Sequence, residues 1–155
     1  FMQSLSERMR MAAIGRSECP INRGVELLGD RWSLVIMRDI LFSGRRGFRE
    51  ILTSSREHIS APTLSRHLGT LVDLGFLTHE AAPRGKAGRY TLTEEGIRLA
   101  PLLFELAAIG HLMDPTTFST EPRFDGWYGD TDRIAAFQDE LRTRHLGDTA
   151  TAIAR

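Results

Sequence analysis

The clearest alternation of hydrophobic and polar positions in this chain lies in the stretch ISAPTLSRHLGTLVDLG, residues 59–75. Leu64, Leu68 and Leu71 follow one another at spacings of four and three residues, which places them on one face of a helix. Ser60 is a favourable N-cap residue for that helix, because its hydroxyl can accept a hydrogen bond from a free backbone N–H. Taken alone, a short helix of this kind is more often an ordinary surface helix than a reader of the DNA major groove.

Shorter patterns before this stretch predict three more helices. Cys19, followed by a proline, is positioned to cap a helix that ends at Gly29. Asp30 is positioned to cap a second helix that ends at Gly44 and is apolar over much of its surface, so we expect it in the core. A third, short helix begins at Phe48. With the helix that follows Ser60, it makes a helix-turn-helix arrangement.

Two short strands follow, at residues 76–80 and 89–92, and the segment AAPRGKAG lies between them. Its glycine, proline and small residues predict a turn, so the strands should form a β-hairpin. Arg84 and Lys86 would lie at its tip. The order of three helices and a hairpin is that of a winged helix.

After the hairpin, Thr93 is positioned to cap a long helix that Pro101 should kink or split. Residues 114–130 are rich in proline and glycine and predict a loop, and residues 131–146 predict a last helix. The apolar surface of the long helix is wider than a small domain needs and predicts an obligate dimer interface, formed by Ile97, Leu99, Leu102, Leu103, Leu106 and Ile109.

Composition adds limits to this outline. The chain has 155 residues, of which 41% are hydrophobic and 26% charged, as expected for one soluble domain with an appendage. A single cysteine excludes an internal disulfide and favours a reducing compartment, for which we expect the bacterial cytoplasm. No apolar run approaches the roughly 20 residues that a membrane span needs, so we expect no membrane partner.

The net charge of zero conceals an asymmetry. Residues 16–89 carry twelve Arg or Lys against eight Asp or Glu, whereas residues 90–155 carry six against eleven. The first of these segments is therefore the part suited to an anionic partner such as DNA.

Signs of catalysis are absent from the sequence. The five histidines show no paired spacing and no cysteine cluster, so we expect no metal site. The sequence also has no glycine-rich phosphate loop, no nucleophile elbow and no paired-carboxylate signature, so we expect no cofactor and no enzyme activity.

Three segments carry a family resemblance: CPINRGVELLGDRWSLVIMRDILFSGRRGFREI, ISAPTLSRHLGTLVDLGFL and RYTLTEEGIRLAPLLFELAAIG. Together they run from about Cys19 to Gly110 and resemble the HxlR-type winged-helix transcriptional regulators. The Cys-Pro start, the Gly-Asp-Arg-Trp segment, LSRHL and YTLTEEG are the specific parts, and their shared order makes the resemblance strong. His67 stands where many members have arginine or another polar residue.

The resemblance implies a homodimer whose amino-terminal and post-wing helices form the interface. It also implies binding to inverted-repeat operators and, in a subset of members, sensing of electrophiles or oxidants through the cysteine that corresponds to Cys19. At a helix N-terminus the dipole favours a thiolate, which makes reactivity physically credible. The alternative is a small residue tolerated at an N-cap.

The DNA-binding candidates follow from the polar face of the fourth helix and from the basic turns. Arg66 has the planar fork that matches the O6 and N7 atoms of guanine. The others are candidates for base edges or phosphates, against the alternative of a solvated surface: Ser60, Thr63, Ser65, His67 and Thr70 on the helix, Arg84, Lys86 and Arg89 on the hairpin, and, more weakly, Arg45, Arg46 and Arg49.

The sequence therefore predicts a mostly α fold with a small β-hairpin, a winged helix-turn-helix domain with flanking dimerisation helices. We expect an N-terminal arm over residues 1–18, the DNA-binding domain over 19–113, and an extension with one helix over 114–155. The expected function is that of a dimeric, sequence-specific transcriptional regulator that binds double-stranded DNA and responds to a small effector or oxidant. The alternative is a winged-helix module that contacts proteins and has no sequence-specific DNA binding.

Overall fold

The computed structural model describes residues 17–119 and 121–147. Over these ranges the chain is mostly helical, with one two-stranded antiparallel sheet, as predicted. Of the expected N-terminal arm, only the last two residues lie in the described part. The elements in chain order are α1 (Pro20–Leu28), α2 (Ser33–Leu41), α3 (Phe48–Ser54), α4 (Ala61–Asp73), β1 (Leu77–Glu80), β2 (Arg89–Leu92), α5 (Glu94–Ile97), α6 (Ala100–Met113), a 3-10 turn (Pro122–Phe124) and α7 (Thr131–Leu146).

Of the four predicted caps, Asp30, Ser60 and Thr93 accept hydrogen bonds at helix starts, whereas the Cys19 side chain makes no capping hydrogen bond. Cys19 precedes α1, and the Ser60 hydroxyl accepts a hydrogen bond from the backbone N–H of Thr63 at the start of α4. Asp30 acts at the start of α2, although the helix begins at Ser33. Its Oδ1 accepts hydrogen bonds from the backbone N–H groups of Trp32 and Ser33, both at 2.8 Å, so the carboxylate organises a turn before the first helical residue.

The helix predicted after the hairpin is divided in two. Thr93 caps α5, its hydroxyl oxygen accepting from the backbone N–H of Gly96 at 3.1 Å. Pro101 lies in the first turn of α6, where its missing N–H costs little. The split expected at this proline is confirmed, and it separates α5 from α6 by two residues.

The expectation that no segment is long and apolar enough to span a membrane is wrong for Glu94–Met113. By length and composition alone, with a mean hydropathy of 1.4, this segment is long and apolar enough to cross a membrane. Its apolar character has another source in this fold, since Ala100, Leu103 and Phe104 pack into the core while the opposite side of α6 is exposed and apolar. A helix that is apolar on both its inner and outer sides passes the same test as a membrane span.

The core includes residues from both sides of the expected boundary at residue 113. Phe42, directly after α2, contacts Phe104 of α6 and Phe124 of the 3-10 turn, both with ring centroids 5.1 Å apart, and it stacks on Phe137 of α7 at 5.6 Å. Phe137 and Leu141 are almost fully buried. The segment expected as an extension therefore supplies α7 to the same hydrophobic core as the winged helix.

The six side chains expected at a dimer interface divide into two groups. Ile97, Leu99 and Leu103 are buried within the chain, so they cannot contact a second copy without the core opening. The expectation that these three residues lie at a dimer interface is therefore corrected by their burial. Sequence periodicity could not distinguish them from the three exposed residues. Leu102, Leu106 and Ile109 are exposed, at 43%, 41% and 57%.

Candidate nucleic-acid interface

The face of α4 that points to solvent carries the expected polar side chains. Leu64, Leu68 and Leu71 are fully buried beneath it, whereas Ser65, Arg66 and Thr70 are exposed. Within the described part of the chain, the Arg66 guanidinium makes no hydrogen bond and no ion pair. It is therefore available to an external acceptor.

The short hydroxyl side chains of α4 are used partly by the helix itself. The Ser60 hydroxyl donates to Thr63 Oγ1 at 2.8 Å, so these two residues form the start of the helix. The Thr70 hydroxyl donates to the backbone carbonyl of Arg66 at 3.1 Å. Each oxygen still has acceptor capacity, but these residues serve first to shape the helix.

His67 does not share the exposed face. Its side chain is only 14% exposed, and its Nδ1 lies 3.3 Å from Asp30 Oδ1. Burial acts to raise the pKa of Asp30, but hydrogen bonds from Ser33 and Trp32 and the nearby His67 hold that pKa below its usual value. His67 thus joins α4 to the turn before α2, and this contact competes with the DNA contact expected for it.

The hairpin presents its cationic tip as predicted. Leu77 pairs with Leu92 and Glu80 with Arg89 in an antiparallel register. At the tip, the backbone N–H of Lys86 donates to the carbonyl of Pro83 at 3.0 Å, and Gly85 has φ +90°, as the third residue of a type II turn requires. This turn leaves Arg84 and Lys86 exposed.

Of Arg45, Arg46 and Arg49, the arginines at the turn before α3 and in its first residues, only Arg49 is exposed. Arg46 donates from Nε to the carbonyl of Tyr90 at 3.0 Å and from Nη2 to Thr91 Oγ1, so its guanidinium holds β2. Burial, followed by the positive charge of Arg89, lowers its pKa. Arg45 lies 3.5 Å from the buried carboxylate of Asp39. Arg45 and Arg46 therefore have structural partners that compete with the phosphate contacts expected of them.

A further residue at the hairpin was missed by the sequence analysis. His145 of α7 is buried, and its Nδ1 accepts a hydrogen bond from the backbone N–H of Leu92 at 3.1 Å. It continues the buried stripe of Phe137 and Leu141 by four residues, so helical periodicity places it on the inner face. No local pattern identifies β2 as its partner, because 53 residues separate the two.

Cys19 is exposed at the N-cap of α1. The same helix leaves Ile21 and Val25 exposed, at 77% and 59%. The thiol is therefore open to solvent, at the start of a helix that also carries exposed apolar side chains. No group of His, Cys, Asp or Glu that could hold a metal ion occurs among residues 17–119 and 121–147.

Comparison with known proteins agrees with this architecture. A family model for the HxlR-like helix-turn-helix matches residues 27–116. An uncharacterized HTH-type transcriptional regulator of Synechocystis is 30% identical over 93 residues, which cover 59% of this chain and 67% of that protein. A second, from Mycobacterium tuberculosis, is 34% identical over 98 residues, and here the match spans only about half, 54%, of the relative.

Two solved structures are similar. One is the crystal structure of PA1607, a protein suggested to be a transcription factor, with a TM-score of 0.56 and 30% identity over 68% of this chain and 70% of that one. The other is the reduced form of the transcriptional regulator YodB from B. subtilis, with a TM-score of 0.52 and 28% identity over 65% of this chain and 100% of that one. Because the family model covers more than half of the sequence, the chain belongs to the HxlR-like helix-turn-helix family of transcriptional regulators and is not an enzyme.

Proposed function

We propose that this regulator binds double-stranded DNA sequence-specifically, as a homodimer on an inverted-repeat operator. The main observation behind this proposal is that the Arg66 guanidinium on α4 is exposed and has no partner in the described part of the chain. The helix is followed by a hairpin with two cations at its tip. In this arrangement α4 enters the major groove and Arg66 donates to guanine O6 and N7. Arg84 and Lys86 contact phosphates or the minor groove.

The dimer in this proposal is supported by two apolar surfaces. On α6, Leu102, Leu106 and Ile109 follow at spacings of four and three residues and are all exposed. On α1, Ile21 and Val25 are four residues apart and also exposed. An exposed apolar surface of this kind is typical of a protein–protein interface. A two-fold axis through it gives two copies of α4, as an inverted repeat requires.

Cys19 is the proposed sensor of an oxidant or electrophile. It is exposed, and it lies at the N-terminus of α1, the helix that also carries the exposed Ile21 and Val25. The solved structure of YodB, a similar protein, is described as its reduced form. With a single cysteine in each chain, oxidation would form a disulfide between subunits or with a small thiol.

A small effector has a candidate location of suitable size. A cavity of about 670 Å³ lies between α2, α6 and the loop after α6, and it is lined mainly by apolar side chains, including Leu34, Phe42, Phe104 and Phe124. Ligand pockets in proteins are commonly of this volume and character. As a DNA-binding regulator, the protein would act in the cytoplasm.

Gel shifts across a range of salt concentrations test the proposal. The probes are the promoter region beside the protein's own gene and a scrambled duplex of the same length and composition. We expect tight, salt-sensitive binding to the promoter DNA and weaker binding to the scrambled duplex. Equal affinity for both, or no binding, would favour a winged-helix module that contacts proteins instead.

A further inference from the structure

The outer edge of β2, on the side away from β1, is covered by two segments of the chain. The backbone N–H of Tyr90 donates to the carbonyl of Arg46 at 2.7 Å, and the backbone N–H of Leu92 donates to His145 Nδ1 at 3.1 Å. The last turn of α7 is thereby joined to the base of the hairpin. This turn lies beyond residue 116, where the family match ends.

Arg144 is brought to the hairpin by the same contact. Its Nη1 lies 3.9 Å from the position that a Cβ on Gly44 would occupy, at the turn that leads into Arg46. Arg46 and Arg89 are close enough for their charges, with that of Arg144, to lower the pKa of His145 in addition to the effect of burial. The end of α7 therefore adds a third arginine to Arg46, which holds β2, and Arg89, which lies at the loop end of β2.

Among residues 17–119 and 121–147, Arg144 differs from the other arginines of α7 in having no carboxylate partner. Arg133 pairs with Asp130 at 3.3 Å, and Arg142 pairs with Glu94 at 2.7 Å. Arg144 is exposed and takes part in none of the ion pairs among residues 17–119 and 121–147. In α7, Arg133 and Arg142 are paired with carboxylates, whereas Arg144 is exposed beside two further arginines. The end of α7 therefore presents a positive charge that is not paired with any carboxylate in the described part of the chain.

The charges around Arg144 join those of the hairpin tip. Arg84, Lys86 and Arg89 are exposed and likewise make no ion pair within the described part of the chain. Two carboxylates lie nearby: Glu80 faces Arg89 across the sheet, and Glu50 accepts from the backbone N–H groups of Arg46 and Gly47. Positive charge outweighs negative charge along this surface, from the tip of the hairpin to the end of α7.

We propose that Arg144 extends the DNA-contacting surface of the hairpin and binds a phosphodiester of the DNA backbone next to the groove that the hairpin tip enters. DNA is the expected partner because this charge is continuous with the cationic tip. An arginine guanidinium is well suited to phosphate oxygens, which it can bind with two parallel hydrogen bonds. This role rests on the proposed DNA binding, so the test first measures whether the wild-type protein binds DNA.

The test compares Arg144→Gln with Arg133→Gln by fluorescence anisotropy on promoter and scrambled duplexes over several salt concentrations. Both changes remove one positive charge from α7, at positions about 16 Å apart along the helix axis. We expect Arg144→Gln to weaken binding to both duplexes about two- to fivefold, the effect of one exposed ion pair. We expect it to reduce the slope of log K against log salt by about 0.9. Arg133→Gln should match the wild type in both measurements.

Arg144→Lys separates a lost contact from a damaged fold. It keeps the charge, so we expect it to restore the salt slope while recovering affinity only in part, since lysine lacks the planar fork. Thermal unfolding of the three variants identifies any loss of folded protein. If Arg144→Gln keeps the wild-type affinity and salt slope, or loses affinity for promoter DNA alone, the phosphate contact is refuted. If the wild-type protein binds neither duplex, the proposed function itself fails.

Discussion

The imidazole Nδ1 of His145 accepts a hydrogen bond from the backbone N–H of Leu92, which joins the last turn of α7 to the second strand of the hairpin. This bond requires the neutral imidazole with its proton on Nε2, because a protonated ring has no acceptor nitrogen. Within the described part of the chain, Nε2 is buried and has no hydrogen-bond partner. The position of the hairpin thus depends on a histidine that must remain uncharged.

This dependence predicts a loss of stability in mild acid. Burial, followed by the positive charges of Arg46, Arg144 and Arg89, lowers the pKa of His145 to about 4. In the unfolded chain the pKa is the ordinary 6.5, so below that pH the unfolded state binds the proton first and is stabilised. The free energy of unfolding should therefore fall as the pH is lowered from 6.5, by roughly 2 kcal/mol from this group by pH 4.5.

Urea denaturation of His145→Asn across this pH range checks the prediction. Asparagine can retain an acceptor near the position of Nδ1 but does not titrate, so the variant should show a smaller decrease in stability between pH 6.5 and 4.5 than the wild type. His111→Asn, which changes an exposed histidine of α6, is the matched control and should follow the wild type. An unchanged pH dependence in His145→Asn would contradict the prediction.

Arg66→Ala should reduce sequence discrimination. A bidentate contact to guanine contributes about 1–3 kcal/mol of discrimination, so affinity for promoter DNA should fall about 5- to 150-fold. Affinity for a scrambled duplex should change much less. Gel shifts on both duplexes measure the difference, with Arg98→Ala as the control because that side chain is 74% exposed and lies outside α4. Equal losses on both duplexes would indicate a phosphate contact for Arg66.

Ile109→Asp should convert the proposed dimer to monomers. The side chain is 57% exposed, so the substitution spares the core but introduces a charge into the apolar surface of α6. Light scattering at micromolar concentration measures the mass, and gel shifts should show weaker binding because the two half-sites are then bound independently. Phe118→Asp, at an exposed apolar residue of the following loop, should leave the mass unchanged. A wild-type monomer in the same experiment would refute the inverted-repeat proposal.

Oxidant or quinone treatment should lower the affinity of the wild-type protein for promoter DNA and leave Cys19→Ser unaffected. The expected product is a disulfide between two subunits or a mixed disulfide with a small thiol, since each chain has one cysteine. Non-reducing electrophoresis and intact mass measure the product, and gel shifts on the same samples measure the affinity. If Cys19 is modified and the affinity does not change, the thiol is reactive but does not regulate the protein.

The sequence by itself was sufficient for the order and type of the elements. Periodicity and caps place α1 to α4, the hairpin and α7 close to their observed bounds, because local hydrogen bonding and the burial of one helix face decide these features. Pro101 identified the break between α5 and α6 for the same local reason. The exposed group of Ser65, Arg66 and Thr70 also follows from helical spacing alone.

Only the tertiary structure decided which of the candidate interface and DNA-binding residues are exposed to a partner and which are held by contacts within the chain. Ile97 and Leu103 are as apolar as Leu106, but packing against the rest of the chain buries the first two and leaves the third exposed. Arg46 and His67 have the side chains of DNA-contacting residues, and long-range partners in β2 and before α2 hold them instead. The placement of His145 against Leu92 has the same origin. Contacts between residues distant in sequence depend on how the elements pack, and no local pattern of residues encodes that.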